Sequence, residues 1–204
     1  MRQIVGIDPG LSGGIAILSD NILIVCEIPI TKNRSNKKVI DKDALGELFI
    51  HIIDADALII TEQQQAYPNQ GGVSNFTTGM GYGILLGLSL FFGHMEVHPK
   101  TWHKEFGISG TGDECKAKSI AIAYKLFPDN TFIKPGCRVD SDGLAEAALI
   151  AEWGRRLGLN GDTESAAKAK VKLSLTSSAV TVQEKALGWT PQLEQDLVAY
   201  HIRT

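Results

Sequence analysis

Three apolar segments occupy the start of the chain: Ile4-Val5-Gly6-Ile7, Gly14-Ile15-Ala16-Ile17-Leu18 and the run from Ile22 to Ile28. Asp8-Pro9-Gly10 and Ser19-Asp20-Asn21 separate them. Short apolar runs bounded by turn residues read as strands, and tight turns between strands force antiparallel neighbours. The chain therefore opens as a meander, and everything downstream must pack on the sheet that it begins.

The pattern then changes. From Asp43, the residues Ala44, Leu45, Leu48, Phe49, Ile52 and Ile53 recur at helical spacing. Ala57-Leu58-Ile59-Ile60 is a fourth strand, ending at Thr61-Glu62. A Gln/Pro/Gly loop over 63–72 leads into a Gly-rich apolar helix over about 75–92, and Met95-Glu96-Val97 is a fifth strand. Helices are expected near 100–106, 114–126 and 143–157, the last carrying Leu144, Ala147, Ala148, Ile150, Ala151 and Trp153. A meander followed by βα units defines an α/β fold, a five-stranded mixed sheet flanked by helices. Residues 31–42, with Lys32, Arg34, Lys37, Lys38 and Lys42 against Asp41, read as a loop.

The texture changes after Gly161. This predicts a domain over 1–160 and a C-terminal extension over 161–204, with a period-two strand pattern at Val171–Leu175 and a helix beginning at Thr190-Pro191. The role of that extension is left open by the sequence.

Composition narrows the function classes. Of 204 residues, 44% are hydrophobic and 21% charged, which is ordinary for a globular chain and excludes disorder, collagen and coiled coil. Lys and Arg number 20 against 23 Asp and Glu, a net charge of −3, so a uniformly basic nucleic-acid coat is excluded while a local basic face is not. Cys26, Cys115 and Cys137 show no C-x-x-C spacing, so neither a disulfide framework nor a cysteine zinc site is expected. The N-terminus shows no signal-peptide or transit-peptide pattern, and the apolar stretch from Gly81 to Phe92 is too short to span a bilayer. An intracellular protein without a membrane partner is expected.

The chemistry-bearing residues are acids at element ends. Asp8 follows the first strand and Glu62 ends the fourth, both at the rim of the sheet. As plain structure, Asp8 turns the chain and Glu62 is a solvated strand end. Asp142 and Glu146 stand at i and i+4 on one helical face, where like charges repel unless a cation lies between them. Acids at a helix start also suit the helix dipole, which accounts for Asp140 and Asp142 better than for Glu146. Hard oxygen ligands from two strand ends and one helix suit Mg²⁺ or Mn²⁺. Two such ions about 3.5–4 Å apart can serve phosphodiester hydrolysis. Gly10, Gly13 and Gly14 are expected to let a phosphate backbone come close. The five histidines, His51, His94, His98, His103 and His201, show no metal spacing.

In order along the chain, these motifs resemble those of the RuvC-type Holliday junction resolvases of the RNase H-like superfamily, most closely the phage and chloroplast branch. The resemblance rests on Gly6-Ile7-Asp8-Pro9-Gly10; on Glu62-Gln63-Gln64 followed by Pro68 and Gln70-Gly71; and on Phe76 with Gly79-Met80-Gly81-Tyr82-Gly83. It continues through Pro99-Lys100-Thr101-Trp102-His103-Lys104, Gly107-Ile108-Ser109-Gly110, Lys116 and Lys118, and Leu126-Phe127-Pro128. It closes on Asp142-Gly143-Leu144-Ala145-Glu146-Ala147-Ala148-Leu149-Ile150-Ala151 and covers about residues 3–158. The family often has His where Asp142 stands, which leaves Asp140 and Asp142 as alternatives for one ligand.

The resemblance implies an RNase H-like fold and a homodimeric, Mg²⁺-dependent endonuclease of DNA recombination and repair. Mn²⁺ is expected to replace Mg²⁺. The enzyme would cut four-way junctions symmetrically to leave 5′-phosphate and 3′-hydroxyl ends. It implies Asp8, Glu62, Asp142 and Glu146 as catalytic metal ligands. It also implies that segment 63–83 enters the junction, with Tyr67 or Phe76 stacking on a base and Gln70 nearby. Lys100, Lys104, Lys116 and Lys118, with the 31–42 loop, would meet phosphates. For each lysine singly, a solvated face explains the charge as well.

Three other classes bear on the same residues. An actin-like sugar or acetate kinase shares the opening strand and Asp-Gly turn, but needs a second domain and phosphate loop that 204 residues do not supply. A nuclease for other branched DNA or for RNA–DNA hybrids would share the acids. A non-catalytic junction-binding protein requires loss of a ligand, whereas all four positions are acidic.

Overall fold

The computed structural model describes residues 2–66 and 71–158. The strand pattern at 171–175, the helix expected from Thr190 and the extension 161–204 lie outside the described residues, as do Tyr67 and Gln70.

Strands β1 (Ile4–Asp8), β2 (Gly14–Ser19) and β3 (Ile22–Glu27) form the antiparallel meander. After β4 (Ile30–Lys32), β5 (Lys38–Ile40) and helix α1 (Lys42–Ile52), strand β6 (Leu58–Glu62) pairs with β1 in parallel. Helix α2 (Gly72–Ser89) leads to β7 (Gly93–Val97), which is parallel to β6. The sheet order is β3-β2-β1-β6-β7, a five-stranded mixed sheet as expected from the sequence. Helices α3 (Pro99–Glu105), α4 (Gly112–Leu126) and α5 (Asp142–Arg156) complete it.

The expected loop over 31–42 is instead a β-hairpin, β4–β5, running into α1. Its turn is built by Asn33, whose Oδ1 accepts the N–H of Ser35 and of Lys37 at 3.0 Å, and by Asn36 at a φ of 58°. The run of charges hides the strands in the sequence, because the hairpin leaves its lysines in solvent and tucks in only Ile40.

One face of the sheet carries Val5, Ile7, Ile15, Ile17 and Ile59, packed against Leu45 and Phe49 of α1 and Leu85 of α2. The other face receives α5, which is buried from Gly143 to Gly154 except at Glu146. Glycines allow this close approach. A Cβ on Gly6 would fall on the carbonyl oxygen of Ala147, and one on Gly14 would stand 2.7 Å from that of Gly143. Gly13 and Gly14 therefore serve the chain's own packing rather than an incoming phosphate, because Asp8 and α5 already fill the space beside them. Gly10, at a φ of 148°, is open. Among the described residues, no helix is long and apolar enough to cross a membrane.

Candidate metal centre

Two facts of register bring the acids together. β1 and β6 are parallel with Ile7 opposite Thr61, so Asp8 and Glu62 end adjacent strands at the same level. Side chains alternate along a strand, so Asp8 shares the face of Gly6 and Glu62 that of Ile60. This is the α5 face, where Gly6 meets Ala147 and Ile60 meets Gly154. Glu146 and Asp142, one turn apart on α5, complete the cluster.

The charges of these groups act on one another. Burial, then repulsion by Glu146, Glu62 and Asp142, pushes the Asp8 carboxyl well above the usual range, against a smaller opposing pull from Lys134. Burial, then Glu62 and Asp142, pushes Glu146 up to about 7. Glu62 is raised by burial, which the Trp102 hydrogen bond partly offsets. Burial also acts to raise Asp142, but the hydrogen bond and charge of Lys116, with the N–H groups at the start of α5, hold it below its ordinary value.

Among the described residues, three of the four carboxylates have a side-chain hydrogen-bond or ion-pair partner. The Trp102 indole N–H donates to Glu62 Oε2 at 2.8 Å. The Ser119 hydroxyl donates to Glu146 Oε1 at 3.2 Å, and Lys116 Nζ lies 2.8 Å from Asp142 Oδ2. Among the described residues, no three His, Cys, Asp or Glu side chains converge tightly enough as they stand to hold a metal ion. The donor set nevertheless fits a divalent cation. The four carboxylates are hard oxygen donors whose charges act on one another, Asp8 and Glu146 being raised by burial and mutual repulsion, and a cation is what would relieve that repulsion.

The choice between Asp140 and Asp142 is geometric. The Tyr124 hydroxyl donates to Asp140 Oδ1 at 2.6 Å, whereas Asp142 is among the charges acting on Asp8. Asp140 is not among the charges acting on Asp8.

The expected DNA contacts divide. Lys116 sits within the acidic cluster, and Lys118 donates to the carbonyl of Ser109, so both are engaged by the protein. Lys100 and Lys104 line a cleft of about 640 Å³ with His103 and Ser109. Phe76 is 71% exposed on α2. Three residues join the site without having been assigned a role from the sequence: Trp102, Ser119 and Lys134. Trp102 falls within a recognised motif, which was the available signal. Lys134 donates to the carbonyl of Ser12 at 2.7 Å from 122 residues away, and nothing local in the sequence signals that contact.

No model of a known protein family matches the chain, and no curated protein matches it. Among solved structures it is similar to Thermus thermophilus RuvC in complex with a Holliday junction substrate, at 14% identity and a TM-score of 0.48, over 77% of this chain and 97% of that one. It is similar to another structure of Thermus thermophilus RuvC at 15% identity and a TM-score of 0.46, with the same coverage. A yeast mitochondrial Holliday junction resolvase gives 14% identity and a TM-score of 0.34, over 76% of this chain and 78% of that one.

Proposed function

We propose that this chain is a divalent-metal-dependent endonuclease that resolves four-way DNA junctions as a homodimer. The observation that carries the reading is the meeting of Asp8 and Glu62, at the ends of adjacent parallel strands, with Asp142 and Glu146 of α5 in mutual repulsion. The ordered motifs over residues 3–158 supply the substrate class.

Asp8, Glu62, Asp142 and Glu146 would hold Mg²⁺ or Mn²⁺. When bound, the metal supplies Lewis-acid polarisation of the phosphate and an acidified water. The chain's own groups do the rest. Trp102 and Ser119 orient Glu62 and Glu146 through hydrogen bonds. Lys116 balances Asp142. Lys100 and Lys104 meet phosphates of an arm, which fixes register without reading sequence. Two such clusters in a dimer make the paired cuts that resolution requires.

The test is cleavage of a synthetic mobile four-way junction in Mg²⁺, beside a linear duplex and an RNA–DNA hybrid, with Asp8→Asn as the control. Paired nicks in the junction alone support the reading. Preferential cutting of the hybrid would replace it with an RNase H activity.

A further inference from the structure

Away from the carboxylate cluster, α5 buries a further acid. Glu152 is 1% exposed, and two arginines of the last turn close on it: Arg155 Nε lies 2.6 Å from Oε2 and Arg156 Nε 2.9 Å from Oε1. Taking a carboxylate out of water is costly, and a well-packed apolar group in its place is often as stable or more so, so stability alone does not account for Glu152. The two arginines differ in what else they touch. Among the described residues, Arg155 gives its side-chain bonds to Glu152. Arg156 also reaches α3: its guanidinium lies 4.6 Å from the centre of the Phe106 ring, and Nη1 donates to Glu105 Oε1 at 3.4 Å. The Phe106 ring in turn meets Trp102 edge to face, with centres 6.5 Å apart, and Trp102 donates to Glu62.

We infer that Arg156, aimed by Glu152, is a positioning residue for the metal centre: it clamps α3 onto α5 and so sets the Trp102 indole on Glu62. The inference rests on the endonuclease reading above. Arg156 stands ten residues beyond Glu146, about 15 Å along the helix axis, so it acts through α3 and not on a bound ion. Helix α3 has only seven residues, and a helix that short takes its orientation from what it packs against. A planar guanidinium suits the task. Its edge bonds a carboxylate while its face lies on an aromatic ring, which a lysine ammonium does not reproduce. The Phe106 and Trp102 rings lie within the range at which aromatic pairs attract one another. Helix α5 thus supplies Asp142 and Glu146 directly at one end. At the other, through Arg156, it governs the orientation of Glu62, which belongs to β6. One helix brings the ligands of two elements into register.

Two measurements on the full chain test this. The first is solvent exchange of the Trp102 indole N–H by NMR, assigned by its loss in Trp102→Phe and taken relative to the amides of β1, so that a general loss of stability cancels. Arg156→Met keeps an unbranched stem and leaves Glu152 paired with Arg155; it is expected to speed this exchange by about tenfold, the effect of freeing a bond to a charged group. Phe106→Leu is expected to do the same from the other side of the contact. Arg155→Met removes an equal charge and leaves Arg156 on Glu152, and is expected to change nothing. Unchanged exchange in Arg156→Met, or equal acceleration in Arg155→Met, overturns the inference. The second is the Mg²⁺ midpoint of junction cleavage, expected to rise about tenfold in Arg156→Met and to rise no further when Arg156→Met is added to Trp102→Phe, because both act through one bond. A midpoint that stays put in Arg156→Met, or effects that multiply in the double variant, also overturns it. Failure of the endonuclease reading is separately visible, as absence of cutting by the unaltered protein, while the exchange measurement needs neither metal nor DNA and still decides whether Arg156 sets Trp102.

Discussion

The Trp102 indole reaches across from α3 to donate to Glu62 Oε2 at 2.8 Å, joining a fully buried aromatic side chain to a carboxylate at the end of β6. The bond fixes the Glu62 carboxylate and offsets part of the rise that burial imposes. Trp102→Phe keeps most of the apolar volume and removes the donor. Loss of a group that orients a ligand costs about 10–100-fold in metal affinity or activity. The midpoint of a Mg²⁺ titration of junction cleavage is expected to rise by at least about tenfold. An unchanged midpoint would mean that the bond is only structural.

Asp8→Asn, Glu62→Gln and Glu146→Gln are each expected to abolish cleavage while leaving junction binding in Ca²⁺ near its original strength. The amides remove ligands, yet also remove negative charge facing phosphates. Asp142→Asn is expected to cost far more activity than Asp140→Asn, because Asp140 is occupied by Tyr124. Single-turnover cleavage of the four variants and Asp140→Asn decides the matter, and the reverse order of the last two would misplace the site.

Glu146 also ties the cluster to stability. Burial, then Glu62 and Asp142, pushes its folded value to about 7, against about 4.3 for an unfolded Glu. A carboxyl raised on folding favours the fold below its unfolded value, and that contribution is lost as pH rises through about 7. Metal-free Glu146→Gln is therefore expected to exceed the parent in stability at pH 8 by roughly 2–3 kcal/mol, with the gap closing toward pH 4. Thermal melts in chelator across this range measure it. A parent as stable as the variant at pH 8 would show that Glu146 is not raised.

Gly6 sets the distance between sheet and α5. In Gly6→Ala the new methyl would fall on the Ala147 carbonyl and 2.5 Å from the Ala151 nitrogen, both backbone atoms. Overpacking of this kind costs about 1–3 kcal/mol or more, and here it pushes Glu146 away from Asp8. Gly46 of α1 has nothing within 4 Å, so Gly46→Ala is expected to be neutral or stabilising by up to about 1 kcal/mol. Urea unfolding of both variants, with cleavage assayed alongside, tests the contrast.

Lys100 and Lys104 line an open cleft, while Lys116 and Lys118 are engaged by Asp142 and the Ser109 carbonyl. Replacing Lys100 and Lys104 by Ala is expected to make the log–log salt dependence of junction binding shallower by about 0.9 for each phosphate no longer neutralised. Linear duplex should weaken in parallel, since binding to phosphates carries no shape code. An unaltered slope on both DNAs would leave the pair as a solvated face.

Local pattern alone determined much of this protein. Short apolar runs broken at Asp8-Pro9-Gly10 and Ser19-Asp20-Asn21 could be little but a meander, and helical spacing in 143–157 announced α5. The acids at strand ends were visible for the same reason, because a strand's last residue is known once its apolar run ends. The hairpin at 30–40 was not legible, since its strands bury almost nothing and its turn depends on Asn33 bonding to later N–H groups. Nor was the use of Gly13 and Gly14, which is decided by how closely α5 approaches. Asp140 and Asp142 are equivalent in sequence; a hydroxyl on Tyr124 and an amine on Lys116 separate them. Trp102 and Lys134 reach the site from 40 and 122 residues away from their partners, and interactions at such separations exist only once the sheet and helices have packed.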